Sequence, residues 1–474
     1  MADGELPMSP EGMVRSRHKR RRHRSRGRED SGSHQSQRSQ RSRDGRDGSG
    51  GRHRQTSRRR HSRRRRRSRR SRGRRQGTPD NGEDFSGRPS REEPRHRDGG
   101  PPHIEVDFGT VLGDEGRYIV EEIFGDGASG RVLGCREAET GKLVAVKVAR
   151  PARRQRRHAE TEVAMLRKLQ RHNRDLAHRH VVRLLDTFEH EQSFYCIVME
   201  PLAMSLRGLL QEGDGGLYVA DIRSTAHQLS NCLAFFQSIG LAHGDLKCTN
   251  VMLRRGDYEL RAHPRLGDPD CMAARPAWPF EVVIIDFGLA NVTEPDTSPE
   301  AFLFTRDQGD QKKGRLRVGA RHIRAPEVVL GLDLQGSAHD MWSLGCLLAT
   351  LYTGERLFPV HDEMEHLAAI EQVTGLRIPP EMANGVAERI LEKGVAFDDS
   401  SRLLWPENAE SQRQVEHVEQ MPVLHEFVLE RHHDFLSFLQ GLLQIDPEKR
   451  LSPERALRHP FLHKECLTEV DRDE

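Results

Sequence analysis

The tightest constraint on this chain is a glycine run set between two extended stretches, with a lysine closing an apolar strand shortly after. Phe124 is followed by Gly-Asp-Gly-Ala-Ser-Gly-Arg-Val (125–132). Residues 117–124 before it and 131–135 after it alternate like strands. The order is strand–turn–strand, whereas a dinucleotide fold requires strand–turn–helix. Glycine lets backbone N–H groups approach phosphate oxygens with no Cβ in the way. A plain tight hairpin explains the run alone equally well. Val-Ala-Val-Lys (144–147) changes the balance, because Lys147, 17 residues after Gly130, suits an ammonium reaching the α/β-phosphates of a nucleotide.

Such a lysine needs an acidic partner. The stretch 153–170 is helix-like and offers Glu160 and Glu162. Glu162, Leu166 and Leu169 share a face by i, i+4, i+7 spacing, and Glu160 points about 200° away from Glu162 at ~100° per residue. Glu162 is therefore the expected partner. A buried strand, Phe194–Met199, then runs into a polar break at Glu200-Pro-Leu202. An apolar helical stretch, 222–241, leads to His-Gly-Asp-Leu-Lys-Cys-Thr-Asn (243–250), followed by Asp-Phe-Gly (286–288), Ala-Pro-Glu (325–327) and a late Arg450. Carboxylate, ammonium and amide oxygen are the groups that phosphoryl transfer asks for, since it depends mainly on positioning and charge neutralisation.

In this order and at these separations the motifs resemble the eukaryotic protein-kinase signature. The resemblance implies an α+β, bilobal fold with a small β-rich N-lobe and a large, mainly helical C-lobe, using ATP and Mg²⁺. It implies that residues 124–132 (Phe124, Gly125, Asp126, Gly127, Ala128, Ser129, Gly130, Arg131 and Val132) cover the nucleotide phosphates together with Lys147. Ala145, Met199 as gatekeeper, Glu200, Leu202 and Met252 would enclose the adenosine. Asp245 would orient the substrate hydroxyl, Lys247 would neutralise the transferring group, and Asn250 with Asp286 would bind Mg²⁺. Asp340 would brace the catalytic loop, and Glu327 with Arg450 would form a buried, structural ion pair.

Two stretches narrow the family. Residues 358–375 resemble the LAMMER helix, Glu-His-Leu-Ala-Met-Met-Glu-Arg-Ile-Leu-Gly, keeping Glu365, His366, Leu367, Ala368, Glu371 and Gly375. An amphipathic helix burying Leu367, Ile370 and Thr374 is compatible with the same residues. Residues 103–118 resemble that family's extra N-terminal strand, and 252–281 its insertion. The chain thus resembles Clk-like (LAMMER) dual-specificity kinases from about 103 to 462, which implies Ser/Thr transfer with tyrosine reached by autophosphorylation. Three departures stand out. Gly244 replaces the arginine that clamps a phosphorylated loop, which predicts activity independent of such a loop. Ala320 replaces a threonine whose hydroxyl contacts the catalytic aspartate, and Ile323 replaces a tyrosine. A polar insert spans about 293–317.

Charge divides the chain. Residues 1–76 hold 28 Lys+Arg against 7 Asp+Glu, a net of +21, which leaves −17 for the rest of a chain whose total is +4. This Arg/Ser-rich segment cannot bury enough apolar surface to offset chain entropy and is expected to be disordered. Its Arg-Ser dipeptides resemble the RS domains of splicing factors, and its basic runs suit nuclear import. No aromatic residue precedes Phe85, so RNA contact would be weak and electrostatic. The expected organisation is a tail at 1–100, a strand extension at 101–117, a catalytic domain at 118–462 (N-lobe 118–202, C-lobe 203–462) and a C-terminal tail at 463–474. Seven scattered cysteines show no metal or disulfide spacing and fit a reducing compartment. Neither a membrane span nor a secretory signal is expected, and a monomer is. The expected partners are Arg/Ser-rich proteins such as splicing factors. The competing readings are a weakly active scaffold, an RNA-associated adaptor and, among enzymes, a split-domain SR-protein kinase.

Overall fold

The alternating apolar residues of 118–149 close one face of an antiparallel sheet. A computed structural model describes residues 103–127, 129–172, 179–263, 265–266, 270–293, 319–332 and 337–463. The Arg/Ser-rich tail, Ala128, Cys466, the insert beyond Thr293 and residues 464–474 lie outside the described residues. Six strands, β1 (Val111–Leu112), β2 (Tyr118–Asp126), β3 (Gly130–Glu137), β4 (Leu143–Ala149), β5 (Leu184–His190) and β6 (Phe194–Met199), pair in the order β1-β2-β3-β4-β6-β5. Val144, Val146 and Val148 of β4 face a core with Tyr118, Leu133 and Cys196. The period of two turns Ala145 and Lys147 to the opposite face.

Helix α1 (Arg153–His172) lies between strands β4 and β5 in sequence and buries Glu162, Val163, Leu166 and Leu169. Its last turn carries Arg171 and His172, which complement the negative end of the helix dipole. Among 103–117 only Val111–Leu112 is a strand, shorter than the extension at 101–117 expected from sequence. Gly109 and Gly113, both at positive φ, turn the chain on either side of it, while Ile104 is buried and its carbonyl accepts from Arg131 Nη1 at 2.9 Å.

Below the sheet, β7 (Met204–Ser205) and α2 (Leu206–Glu212) lead into α3 (Val219–Ser238). That helix ends three residues before the expected Leu241. Gly240, at φ 62°, turns the chain, and Leu241–Ala242 become β8, paired with β13 (Asn291–Val292). The lower lobe also holds β9 (Val251–Leu253) paired with β12 (Val282–Ile284), and between them the hairpin of β10 (Tyr258–Ala262) with β11 (Met272–Pro276). That hairpin lies within the 252–281 insertion. The helix Ala338–Thr353 crosses the lobe almost wholly buried.

The helix Glu363–Thr374 is capped by Asp362, which accepts from the Glu365 N–H at 2.8 Å, and ends at Gly375 with φ 69°. Leu367 and Ile370 are buried as expected, whereas Thr374 is only part-buried and donates its hydroxyl to the Ile370 carbonyl. Glu365, 1% exposed, accepts the His361 N–H at 2.6 Å and sits 2.8 Å from His417 Nδ1. Burial pushes His366 down to about 3, so it is neutral. Glu365 and His366 of this helix therefore serve packing. No helix among the described residues is long and apolar enough to cross a membrane.

Candidate active site

Lys147 projects from β4 on the face that meets α1, and its Nζ donates to Glu162 Oε2 at 2.7 Å and Asp286 Oδ1 at 3.1 Å. Glu160 instead pairs with Arg156 on the exposed side of α1, which settles the geometric choice between the two glutamates. Burial alone would lower Lys147, but the Asp286 and Glu162 carboxylates outweigh it and hold the ammonium above the usual lysine range. Burial pushes Glu162 up to about 6. Lys147 holds Asp286 down to about 2.

Asp286 adopts a left-handed backbone, φ 65° and ψ 73°, an uncommon conformation for a non-glycine residue and one that concentrates at functional sites. Phe287 anchors it, fully buried and edge-on to His243 and Phe236 at 5.0 and 5.7 Å between ring centroids. The Ile285 N–H donates to the Asn250 carbonyl at 2.9 Å, which locks the two loops side by side.

Asp245 is 6% exposed and is held from three directions. Lys247 Nζ and Asn250 Nδ2 donate to its Oδ2 at 2.6 and 3.1 Å, and the Ala320 N–H donates to its Oδ1 at 2.9 Å. The hydroxyl absent at position 320 is thus matched by a main-chain donor. That approach depends on Gly319, because a Cβ there would stand 2.0 Å from Asp245 Oδ1. Sequence reasoning missed this contact. Asp340 accepts the N–H groups of His243 and Gly244 at 2.6 and 2.9 Å, the bracing expected of it. Gly244 sits at φ 79°, and a Cβ would meet the Leu289 carbonyl oxygen at 2.9 Å, so the backbone here demands glycine.

In the glycine loop, Asp126 and Arg131 bond each other through two hydrogen bonds of 2.6 and 2.9 Å. Their charges therefore close the base of the turn, while Gly127 donates to the Gly130 carbonyl at 2.8 Å. Phe124, Gly125 and Asp126 are exposed, Ser129 and Val132 part-exposed and Gly130 buried. Ala145 and Met199 are buried and cross-strand neighbours. Met252, part-buried on β9, pairs with Ser205. The Glu200 N–H is taken by the Arg183 carbonyl at 3.1 Å. Among the described residues no main-chain bond engages the Glu200 carbonyl or the Leu202 N–H. Burial pushes the Cys248 thiol up to about 12, so it is an inert small side chain within the loop.

Asn250 Nδ2 is committed to Asp245, which leaves its amide oxygen available, and Asp286 is a carboxylate at any neutral pH. Two oxygen donors of this kind fit a hard divalent cation that takes its other ligands from water and phosphate. No group of three His, Cys, Asp or Glu side chains among the described residues could hold a metal unaided.

The protein kinase domain family matches residues 118–462. The chain is 33% identical over 381 residues to the serine/threonine-protein kinase AFC2 of Arabidopsis thaliana, covering 77% of this chain and 82% of that protein. It is 31% identical over 366 residues to the dual specificity protein kinase CLK1 of Mus musculus, covering 76% and 68%. A crystal structure of a kinase domain superposes with a TM-score of 0.67 at 31% identity, covering 76% of this chain and 99% of that one.

Proposed function

We propose a substrate class and a division of labour for a chain that belongs to the protein kinase family and, within it, to the AFC/Clk (LAMMER) kinases. It transfers the γ-phosphoryl of Mg-ATP to serine or threonine of Arg/Ser-rich proteins, including splicing factors, and acts in the nucleus on mRNA splicing. The observation that carries the catalytic part is the three-donor grip on Asp245 beside the Lys147–Glu162–Asp286 cluster. The Arg/Ser-rich tail supports the nuclear and substrate parts, because it is itself a chain of the proposed substrate type.

Asp245 accepts the hydrogen bond of the acceptor hydroxyl and aims it. Lys247, already on Asp245, is placed to neutralise charge on the group in transit. Lys147, steadied by Glu162, holds the phosphates. The uncommitted Glu200 carbonyl and Leu202 N–H face adenine, between Ala145 and Met252. Asn250 and Asp286 would hold Mg²⁺, which would supply charge neutralisation at the phosphate oxygens. The alternative reading, a weakly active scaffold, rests on Ala320, which offers Asp245 a main-chain N–H at 2.9 Å but no hydroxyl.

The test is phosphotransfer from Mg-ATP to an Arg/Ser peptide by protein made in bacteria and treated with phosphatase. Because Gly244 offers no cation to clamp a phosphate, activity should persist after dephosphorylation. A loss above about tenfold contradicts the Gly244 reading, and no transfer at all contradicts the substrate class. Lys147→Arg serves as the inactive control, since a planar fork does not replace a compact ammonium.

The pH dependence has a definite sign. As pH falls through about 6, Glu162 takes up a proton, and its neutral carboxyl no longer holds Lys147. The value of kcat/KM for ATP, which reports the free enzyme's groups, should therefore decline below about pH 6. In Glu162→Gln that acidic limb should be absent, with lower activity throughout. An unchanged limb in this variant would assign it elsewhere.

A further inference from the structure

Behind the hinge lies a group of charges that the proposed chemistry does not use. Arg254, directly after β9, sends Nη1 to Glu200 Oε2 at 2.7 Å and Nε to Glu281 Oε2 at 2.8 Å. Its Nη2 donates to the Arg179 carbonyl at 2.6 Å, and Arg179 Nη1 reaches Glu281 Oε1 at 3.3 Å. The second oxygen of Glu200 accepts the Arg183 N–H at 3.1 Å, while the Glu200 N–H donates to the Arg183 carbonyl at the same distance. One guanidinium thus joins the hinge residue Glu200 to the strand pair β9/β12 of the lower lobe. The Arg254 N–H also bonds the Glu281 carbonyl at 3.0 Å, closing the base of the β10/β11 hairpin. The Glu200 and Arg254 side chains are 15% and 30% exposed, so the pair is better shielded than an ordinary surface bridge. A cavity of about 490 Å³ opens beside it, lined by Leu169, Val182 and Phe235 among others.

We propose that Arg254 is a positioning residue for the nucleotide, a tie that fixes the hinge through Glu200. It rests on the reading that the Glu200 carbonyl and Leu202 N–H receive adenine. Both atoms belong to the short segment whose first side chain Arg254 holds, and Ala203, next along, is fixed by its N–H to the Leu253 carbonyl at 3.0 Å. The segment is therefore pinned at both ends to β9. A hinge held in its binding geometry spares the nucleotide the cost of ordering it. Removing the guanidinium would leave Glu200 Oε2 without its cation and Glu281 held by Arg179 alone, which unties the hinge from the lower lobe. Lysine does not restore the tie, because a single ammonium cannot serve three acceptors in the planar fork geometry.

The experiment measures ADP affinity by titration calorimetry on the full chain for R254M, E200Q and the double variant, with KM for an Arg/Ser peptide and melting temperature beside it. R254M should bind ADP about five- to tenfold more weakly, with the peptide KM within about twofold and melting within a few degrees. E200Q should behave alike, and the double variant should be no worse than R254M, because all three lose the charged Glu200–Arg254 contact that the proposal rests on. ADP affinity within twofold of the parent in R254M, or equal losses in ADP and peptide binding, or additive effects in the double variant, would each overturn the tie. A parent protein that does not bind ADP at all would instead sink the nucleotide reading beneath it.

Discussion

Asp245→Asn should lower kcat for peptide phosphorylation by about 10²–10⁴-fold, the range lost with a positioned acid–base group. The amide has the carboxylate's shape but carries no charge and accepts at one end only. In the parent, one oxygen meets the Ala320 N–H at 2.9 Å and the other meets Lys247 Nζ and Asn250 Nδ2 at 2.6 and 3.1 Å. The variant must turn its NH₂ toward one of these donor sets, so either the Ala320 contact or the Lys247 contact becomes donor against donor. ATP affinity should change little, because Lys147, Glu162 and Asp286 form a separate cluster. A matched fall in ATP affinity and kcat would mean that Asp245 supports the nucleotide cleft rather than the acceptor hydroxyl. Retention of more than about a tenth of the parent kcat would remove Asp245 from the chemistry.

The clusters differ in how far they could be read before any coordinates. Lys147 and Glu162 were legible because two periods fix them: alternation along β4 turns Lys147 away from Val146 and Val148, and the 3.6-residue repeat separates Glu162 from Glu160. The Glu327–Arg450 pair and the bracing by Asp340 rested on the order of the motifs and are present as hydrogen bonds. The contact from Ala320 was not legible, because a main-chain N–H has no letter of its own. Sequence showed only the missing hydroxyl and so pointed toward weakness at a place where the backbone supplies the donor. The tie from Arg254 to Glu200 and Glu281 was invisible for a different reason. Its residues stand 54 and 27 positions apart, no helical or strand period links them, and charged letters in loops resemble a solvated surface. The end of α3 was displaced because apolar residues continue past it into β8, and only the left-handed turn at Gly240 marks the boundary.

Arg450→Met should destabilise the described kinase domain by about 3–5 kcal/mol, the cost of leaving one member of a buried ion pair alone. A guanidinium carries five N–H donors, and each has an acceptor here. Nη1 serves Glu327 Oε1 at 2.6 Å and the Ala338 carbonyl at 2.9 Å; Nη2 serves Glu327 Oε2 at 2.8 Å and the Ile445 carbonyl at 3.1 Å; Nε serves the Gln444 carbonyl at 2.9 Å. The group also lies 5.3 Å from the centre of the Trp342 ring. Methionine fills much of the volume but leaves the Glu327 carboxylate, 3% exposed, with no counter-charge. Glu327 lies in the first turn of the helix Pro326–Val329, shortly after the loop that touches Asp245, so loss of the pair should loosen the acceptor side of the site as well as the lobe. The melting temperature should fall by roughly 10 °C, and kcat should fall at temperatures where the variant is still folded. Glu327→Leu with Arg450→Met should recover much of the stability, because apolar replacement of both partners removes the orphaned charge, but not the activity, because the tie between the loop and the lobe is still missing. Melting of Arg450→Met within about 2 °C of the parent would show that water reaches Glu327 and that the pair is not structural. Full activity in the double variant would show that the acceptor side does not depend on it.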